Sequence, residues 1–103
     1  EISGHFVYGH IDCTTKITNI KNLKDSWEFY FKNFQNENNK FIVEKGSIAI
    51  NGISLTISET TSKSFSISIV PHTYENTNLK YAKENDLVNV EFDALARYIV
   101  NND

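Results

Sequence analysis

With 103 residues, 40% of them apolar by type, the chain carries enough hydrophobic side chains for one core and not for two. Its mixed charges sum to −3, which leaves no basic footprint for a phosphate backbone and argues against nucleic-acid binding. One cysteine cannot form an internal disulfide, no apolar run approaches the ~20 residues that span a bilayer, and no stretch has the make-up of a signal peptide, so the expected setting is a reducing cytoplasm. The sequence opens at Glu1 and contains no methionine, and is therefore expected to be a piece of a longer protein.

The first stretch, GHFVYGHIDC, sets His5, His10, Asp12 and Cys13 among strand-forming residues. On a regular strand His5 and His10 point to opposite faces, and the neighbours Asp12 and Cys13 diverge in the same way. A shared metal would need a bend at Gly9, so no metal site is expected, and Cys13 reads as structural. Gly4 and Gly9 mark a bulge or a place where a ligand or another backbone comes close.

Polar residues 19–24 read as a turn. Trp27, Phe29 and Phe31 then alternate with Glu28, Tyr30 and Lys32, the period of a half-buried strand. NNKFIV at 38–43 suits one or two helical turns, and Lys45, in EKGS, is a turn cation whose default role is a solvated charge. Asn51-Gly52 marks a tight corner because both residues tolerate positive φ.

Beyond that corner Ile53, Leu55 and Ile57 alternate with Ser54, Thr56 and Ser58. With the apolar set in the core, the hydroxyls of Ser54 and Thr56 face either water or a bound polar molecule. NGIS lacks the G-x-S-x-G of a nucleophile elbow. A turn at 60–64 leads to Phe65, Ile67 and Ile69, alternating with Ser66 and Ser68. That strand stops or becomes an edge at Pro71, which cannot donate to a ladder, and the neighbouring backbone groups must then be satisfied by water or a ligand. After a turn at 83–86, Val88, Val90 and Phe92 alternate with Asn89 and Glu91. Asp93 can cap a helix over 93–100 whose stripe of Leu95, Tyr98 and Ile99 needs a surface to pack against, either its own barrel or a second subunit. The whole pattern predicts a small all-β barrel or sandwich.

Four segments in order, GHFVYGHID, FIVEKGSIAINGISLT, IVPHTYENTNL and LVNVEFDALARYIV, resemble the C-terminal half of riboflavin synthase. The resemblance implies a six-stranded antiparallel Greek-key barrel over 1–92, with a short helix, and the start of a C-terminal oligomerisation helix over 93–103. It implies a homotrimer without metal or cofactor that converts two molecules of 6,7-dimethyl-8-ribityllumazine into riboflavin and 5-amino-6-(ribitylamino)uracil. Each site then forms between this barrel and the N-terminal barrel of a neighbouring subunit. Carried over by motif, Gly9, His10, Ile11, Lys45, Ser54, Leu55, Thr56, Ile69, Val70, Pro71, His72, Thr73 and Tyr74 form the substrate-binding wall. His10 is expected to assist proton transfer, Ser54 and Thr56 to orient the ring, and Asp93 either to move a proton or simply to cap its helix. The family's first barrel, with the serine and cysteine that complete its site, has no counterpart in these residues. Tyr8 and Asn51 depart from residues common in the family, and Asn51 puts a proton-transfer role at that position in doubt. The competing expectations are a non-catalytic lumazine-binding antenna module and a domain whose chief role is assembly.

Overall fold

The structure, a computed structural model, describes residues 11–93. The readings on Gly4, His5, Gly9 and His10 and the helix expected after Asp93 lie outside the described residues.

Six strands, β1 (Cys13–Asn22), β2 (Trp27–Lys32), β3 (Ser47–Ile50), β4 (Ile53–Thr60), β5 (Ser64–Ile69) and β6 (Leu87–Phe92), close into an antiparallel barrel in the order β1-β2-β5-β4-β3-β6. The period-two alternation explains the core. Phe29 and Phe31 of β2, Ile53 and Ile57 of β4, Phe65, Ile67 and Ile69 of β5 and Val90 of β6 all point inward and are buried. Phe31 and Phe65, opposite each other on β2 and β5, stack with ring centroids 5.1 Å apart. Towards one end Phe34 and Phe41 close on Phe92, whose ring centroid lies 5.7 and 4.9 Å from theirs.

The turn expected at 19–24 is corrected. β1 runs on to Asn22, and the reversal is tied by the Leu23 amide donating to the Ser26 carbonyl at 2.8 Å. Barrel closure explains the extra length. Residues 13–16 of β1 pair with β6, whereas Ile17 to Asn22 pair with β2, so one strand must serve two neighbours in succession. A bulge between Ile17 and Asn19 lies just past the changeover and bends the strand from one partner to the other.

The other expected punctuation is where the sequence puts it. Asn51 and Gly52 take φ of 49° and 83° between β3 and β4, and the Asn51 side chain accepts from the Asn89 amide at 2.8 Å. The helical turn near 38–43 is a 3-10 helix, Glu37–Phe41, capped by Asn36 Oδ1 accepting from the Asn38 amide. The turn ahead of β3 needs glycine, because a Cβ on Gly46 would meet the Val43 carbonyl at 2.9 Å. A short helix α1 (Pro71–Glu75) and a second 3-10 helix (Asn78–Tyr81) cross the space between β5 and β6, and Leu79 from the latter is buried in the core.

Asn33 locks the end of β2 to the β4–β5 hairpin. It is 3% exposed, donates from Nδ2 to Thr60 Oγ1 at 3.1 Å and to the Thr61 carbonyl at 2.8 Å, and accepts from the Phe34 amide at 2.9 Å. Asn33→Ala removes all three bonds from a buried side chain and is expected to cost about 2 kcal/mol, seen as a fall of roughly 10 °C in Tm. A fall of only a degree or two would show that the lock carries no load.

Candidate functional site

The β4–β5 ladder joins Thr60 to Phe65, Glu59 to Ser66 and Ile57 to Ile67, with a bulge between Ile57 and Glu59, and there it stops. Both strands continue. β4 stays on β3 through Thr56 opposite Ser47 and Ser54 opposite Ala49, and β5 stays on β2 through Ser68 opposite Glu28 and Ile69 opposite Trp27. Each is paired on its far edge and open on the edge facing the other. Ile57 directs both backbone groups towards the β3 side, donating to the Gly46 carbonyl at 2.9 Å and accepting from the Lys45 amide at 2.8 Å. Alternation along an extended strand then turns the backbone groups of Thr56 and Ser54 towards β5, where the Thr56 carbonyl closes the Ile57–Ile67 pair and the Thr56 N–H and both groups of Ser54 face the gap.

The gap is a cleft of about 130 Å³ lined by Ser54, Leu55, Thr56, Ser68, Ile69, Val70 and Thr73. Because Ile53 and Ile57 are fixed in the core, the strand period places the Ser54 and Thr56 side chains outward, as the sequence predicts. The lining combines hydroxyls that can donate or accept with apolar surface, and no lining side chain is charged.

Helix α1 brings Thr73 to this cleft. Val70 is extended and Pro71 occupies the first helical turn, so the strand ends and the helix begins without a break, with the Tyr74 amide donating to the Val70 carbonyl at 3.1 Å. The Tyr74 ring lies flat on Trp27, with centroids 3.8 Å apart and planes 6° apart, and Trp27 is itself the partner of Ile69. This stack pins the helix to the strand end. Behind it Asn76 Nδ2 donates to the His72 carbonyl at 2.8 Å, and Thr77 Oγ1 to the Thr73 carbonyl at 2.7 Å. Thr73 is held 1% exposed, and its hydroxyl has no hydrogen-bond partner. A buried hydroxyl left unpaired costs about 1–3 kcal/mol, so its presence at a cleft calls for a reason.

The structure therefore brings together Ser54, Leu55, Thr56, Ile69, Val70 and Thr73 from the sequence-predicted set. The other described members of that set lie elsewhere. Lys45 is exposed in the turn before β3 at φ 68°, Ile11 is exposed ahead of β1, and Pro71, His72 and Tyr74 belong to α1 without lining the cleft. Asp93 follows β6, the second strand over from β4, outside the lining. Ser68 was missed, because in sequence it is one more outward serine of β5. Its only distinguishing signal is its place two residues before the Val70-Pro71 strand end. Cys13 is half-buried and its thiol titrates above the ordinary range through burial and then the Asp12 carboxylate, which suits a packed thiol more than a nucleophile. Among the described residues no three His, Cys, Asp or Glu side chains are grouped to hold a metal, and no helix is long and apolar enough to cross a membrane.

The class defined by these features is a closed antiparallel barrel with an uncharged, hydroxyl-lined cleft at a strand fork. More particularly, residues 8–93 match the family model of the lumazine binding domain, and the chain belongs to that family. It is 44% identical over 96 residues to riboflavin synthase of Actinobacillus pleuropneumoniae and 36% identical over 101 residues to that of Escherichia coli (strain K12). These alignments take in 93% and 98% of this chain but only 44% and 47% of the relatives, so the chain spans under half of their length. The crystal structure of LumP complexed with riboflavin superposes with a TM-score of 0.75 at 26% identity, over 84% of this chain and 47% of that one.

Thr73→Val keeps the side-chain shape and deletes only the unpaired hydroxyl. The expected thermal stability of the free protein is unchanged or raised by up to about 1 kcal/mol. A loss of that size in a melting experiment would mean that the hydroxyl has a partner in the free protein.

Proposed function

We propose that this chain is the second lumazine-binding barrel of a riboflavin synthase and supplies one half of its active site. The reaction is the dismutation in which one 6,7-dimethyl-8-ribityllumazine transfers a four-carbon unit to another, giving riboflavin and 5-amino-6-(ribitylamino)uracil. The observation that carries this reading is the fork cleft. A pteridine edge needs donors and acceptors in one line, which the open β4 edge at Ser54 and Thr56 supplies, and the polyol chain needs hydroxyl partners, which Ser54, Thr56 and Thr73 offer. Riboflavin synthase relatives at 36–44% identity support the same reading.

The size of the cleft supports a half-site. Pockets that bury most of a small ligand are roughly 300–1,000 Å³, and about 130 Å³ is too little to enclose a ribityllumazine. The remaining wall is assigned to the N-terminal barrel of a neighbouring subunit in a cytoplasmic homotrimer, with the Greek-key connection that the family resemblance implies. The chemistry removes a proton from the C7 methyl of one substrate molecule, whose carbanion is delocalised into the ring, so a weak base suffices and neither metal nor cofactor is called for. His10 is the first candidate for that proton transfer and Asp93 the second, with Gly9 allowing close approach of the backbone. Lys45, Pro71, His72 and Tyr74 form or support the rim in this reading.

A second reading, a lumazine- or flavin-holding antenna module without turnover, is favoured by the resemblance to LumP, whose structure holds riboflavin. Titration with 6,7-dimethyl-8-ribityllumazine and with riboflavin, followed by quenching of the single tryptophan, Trp27, tests the common ground. Both ligands are expected to bind. Ser54→Ala, Thr56→Ala and Thr73→Val are each expected to weaken binding about three- to tenfold, the worth of one hydrogen bond. The chain alone is expected to form no riboflavin, and joined to a first barrel it should. Ligand binding unaffected by all three substitutions would remove the cleft from consideration; binding with no product even beside a first barrel would select the antenna reading.

A further inference from the structure

Thr73 reaches the cleft from α1 and not from a strand. That helix has five residues, far short of the ~12–15 a helix needs to be stable by itself, so tertiary contacts must fix its setting. Pro71, His72 and Glu75 are exposed, which leaves Thr73 and Tyr74 to make those contacts. Thr73 cannot hold the helix by its hydroxyl, which is buried without a partner. That hydroxyl pulls the other way, because a rotation of α1 that brought it to water would relieve it. The bonds from Asn76 and Thr77 join α1 to the residues that follow it, and Leu79 anchors that far end in the core. What ties the helix itself to the barrel is the Tyr74 ring on Trp27, with centroids 3.8 Å apart and planes 6° apart; its contact with Phe29 is looser, at 6.2 Å and 53°. Trp27 is a firm reference. Its backbone is paired on both sides, with Asn22 of β1 and with Ile69 of β5, and Ile69 itself lines the cleft.

We propose that Trp27, which does not line the cleft, is a positioning residue of the binding site: through Tyr74 it fixes the rotation of α1 and so holds the Thr73 hydroxyl in place before a ligand arrives. The inference rests on the reading of the cleft as the ligand site. Fixing the hydroxyl in the free protein removes an ordering cost from binding. The same logic bounds the effect. A residue that acts only through the Thr73 hydroxyl cannot cost more affinity than deleting that hydroxyl, and once the hydroxyl is gone its own removal costs nothing further.

The test is a double-mutant cycle on the intact chain, with riboflavin affinity read by calorimetry so that loss of the indole does not alter the signal. The variants are Trp27→Leu, Thr73→Val and the two together, with Trp27→Phe, which keeps a ring on Tyr74, as the conservative control. Tyr74→Leu removes the same stack from the helix side and takes the place of Trp27→Leu should that variant fail to fold. Trp27→Leu is expected to bind about three- to tenfold more weakly, as Thr73→Val does, the pair no more weakly than either, and Trp27→Phe within about twofold of wild type. Hydrogen exchange on the free chains gives a second readout. The Tyr74 and Asn76 amides, which donate to the Val70 and His72 carbonyls at 3.1 Å, are expected to accelerate in Trp27→Leu more than the Ile57 amide of the barrel does. Losses that add in the pair, unchanged affinity in Trp27→Leu, a loss that Trp27→Phe shares, or exchange raised equally throughout the barrel would each overturn the proposal. A wild-type chain that binds no riboflavin fails the cleft reading instead, and exchange at Tyr74 and Asn76 then decides whether Trp27 sets α1.

Discussion

The site depends on a single constraint: β4 and β5 stop pairing at Ile57 and Ile67 although both strands continue. A closed barrel has no free strand edges, and a barrel with a full β4–β5 seam would offer a ligand only side chains. Opening the seam at one end exposes two short edges facing each other. The amides and carbonyls left open there need partners, from water or, on the proposed reading, from the edge of a flat heteroaromatic ligand. The cost is modest, because a protein hydrogen bond exchanged for one to water loses only about 0.5–1.5 kcal/mol.

The opening is tolerated because it is local. β4 remains on β3 and β5 on β2 through the whole fork, so neither strand is released from the sheet. Beneath it the core is continuous, with Leu55 and Ile69 buried as the floor of the cleft and Ile53, Ile57 and Ile67 behind them. The end of β5 is braced by Tyr74 on Trp27, and the segment that makes this contact also delivers Thr73 to the cleft. Strand end, helix start and stacked ring are therefore one device. Pro71 ends the ladder, starts the turn and so fixes which face of α1 meets the barrel.

Much of this was legible in the residues. The alternation of Ile53, Leu55 and Ile57 with Ser54, Thr56 and Ser58 places two hydroxyls on the outer face of β4, and Val70-Pro71 marks where β5 must end. Asn51-Gly52 sets the corner that joins β3 to β4. What sequence could not show was the register between neighbours. The bulges at Ile17/Asn19 and Ile57/Glu59 arise from bending strands around a closed barrel, and a serine in a bulge reads the same as a serine in a ladder. For that reason Ser66 and Ser68 look equivalent in sequence, yet Ser66 is buried against both neighbouring strands and Ser68 stands at the fork. Thr73 entered only through the family resemblance. Its burial depends on α1 being pinned by a tryptophan more than forty positions earlier in the chain.

The character of the cleft also bears on what completes it. Its lining is uncharged, so an uncharged heterocycle with a polyol tail can enter without stranding a buried charge, and recognition falls to hydrogen bonds along one edge. A planar ring that docks by its edge between two parted strands presents its faces to either side of the fork, and a cleft of about 130 Å³ cannot cover them. On the proposed reading those faces must be covered by a second surface, and a reaction between two such rings requires that surface to carry a ring of its own. A barrel spanning under half of its riboflavin synthase relatives, with an open half-pocket on one side, has the geometry expected of one partner in that encounter. On that reading the strand fork would do two things at once: supply the hydrogen bonds that fix one ring, and leave that ring's reactive side outside the barrel, where a second could meet it.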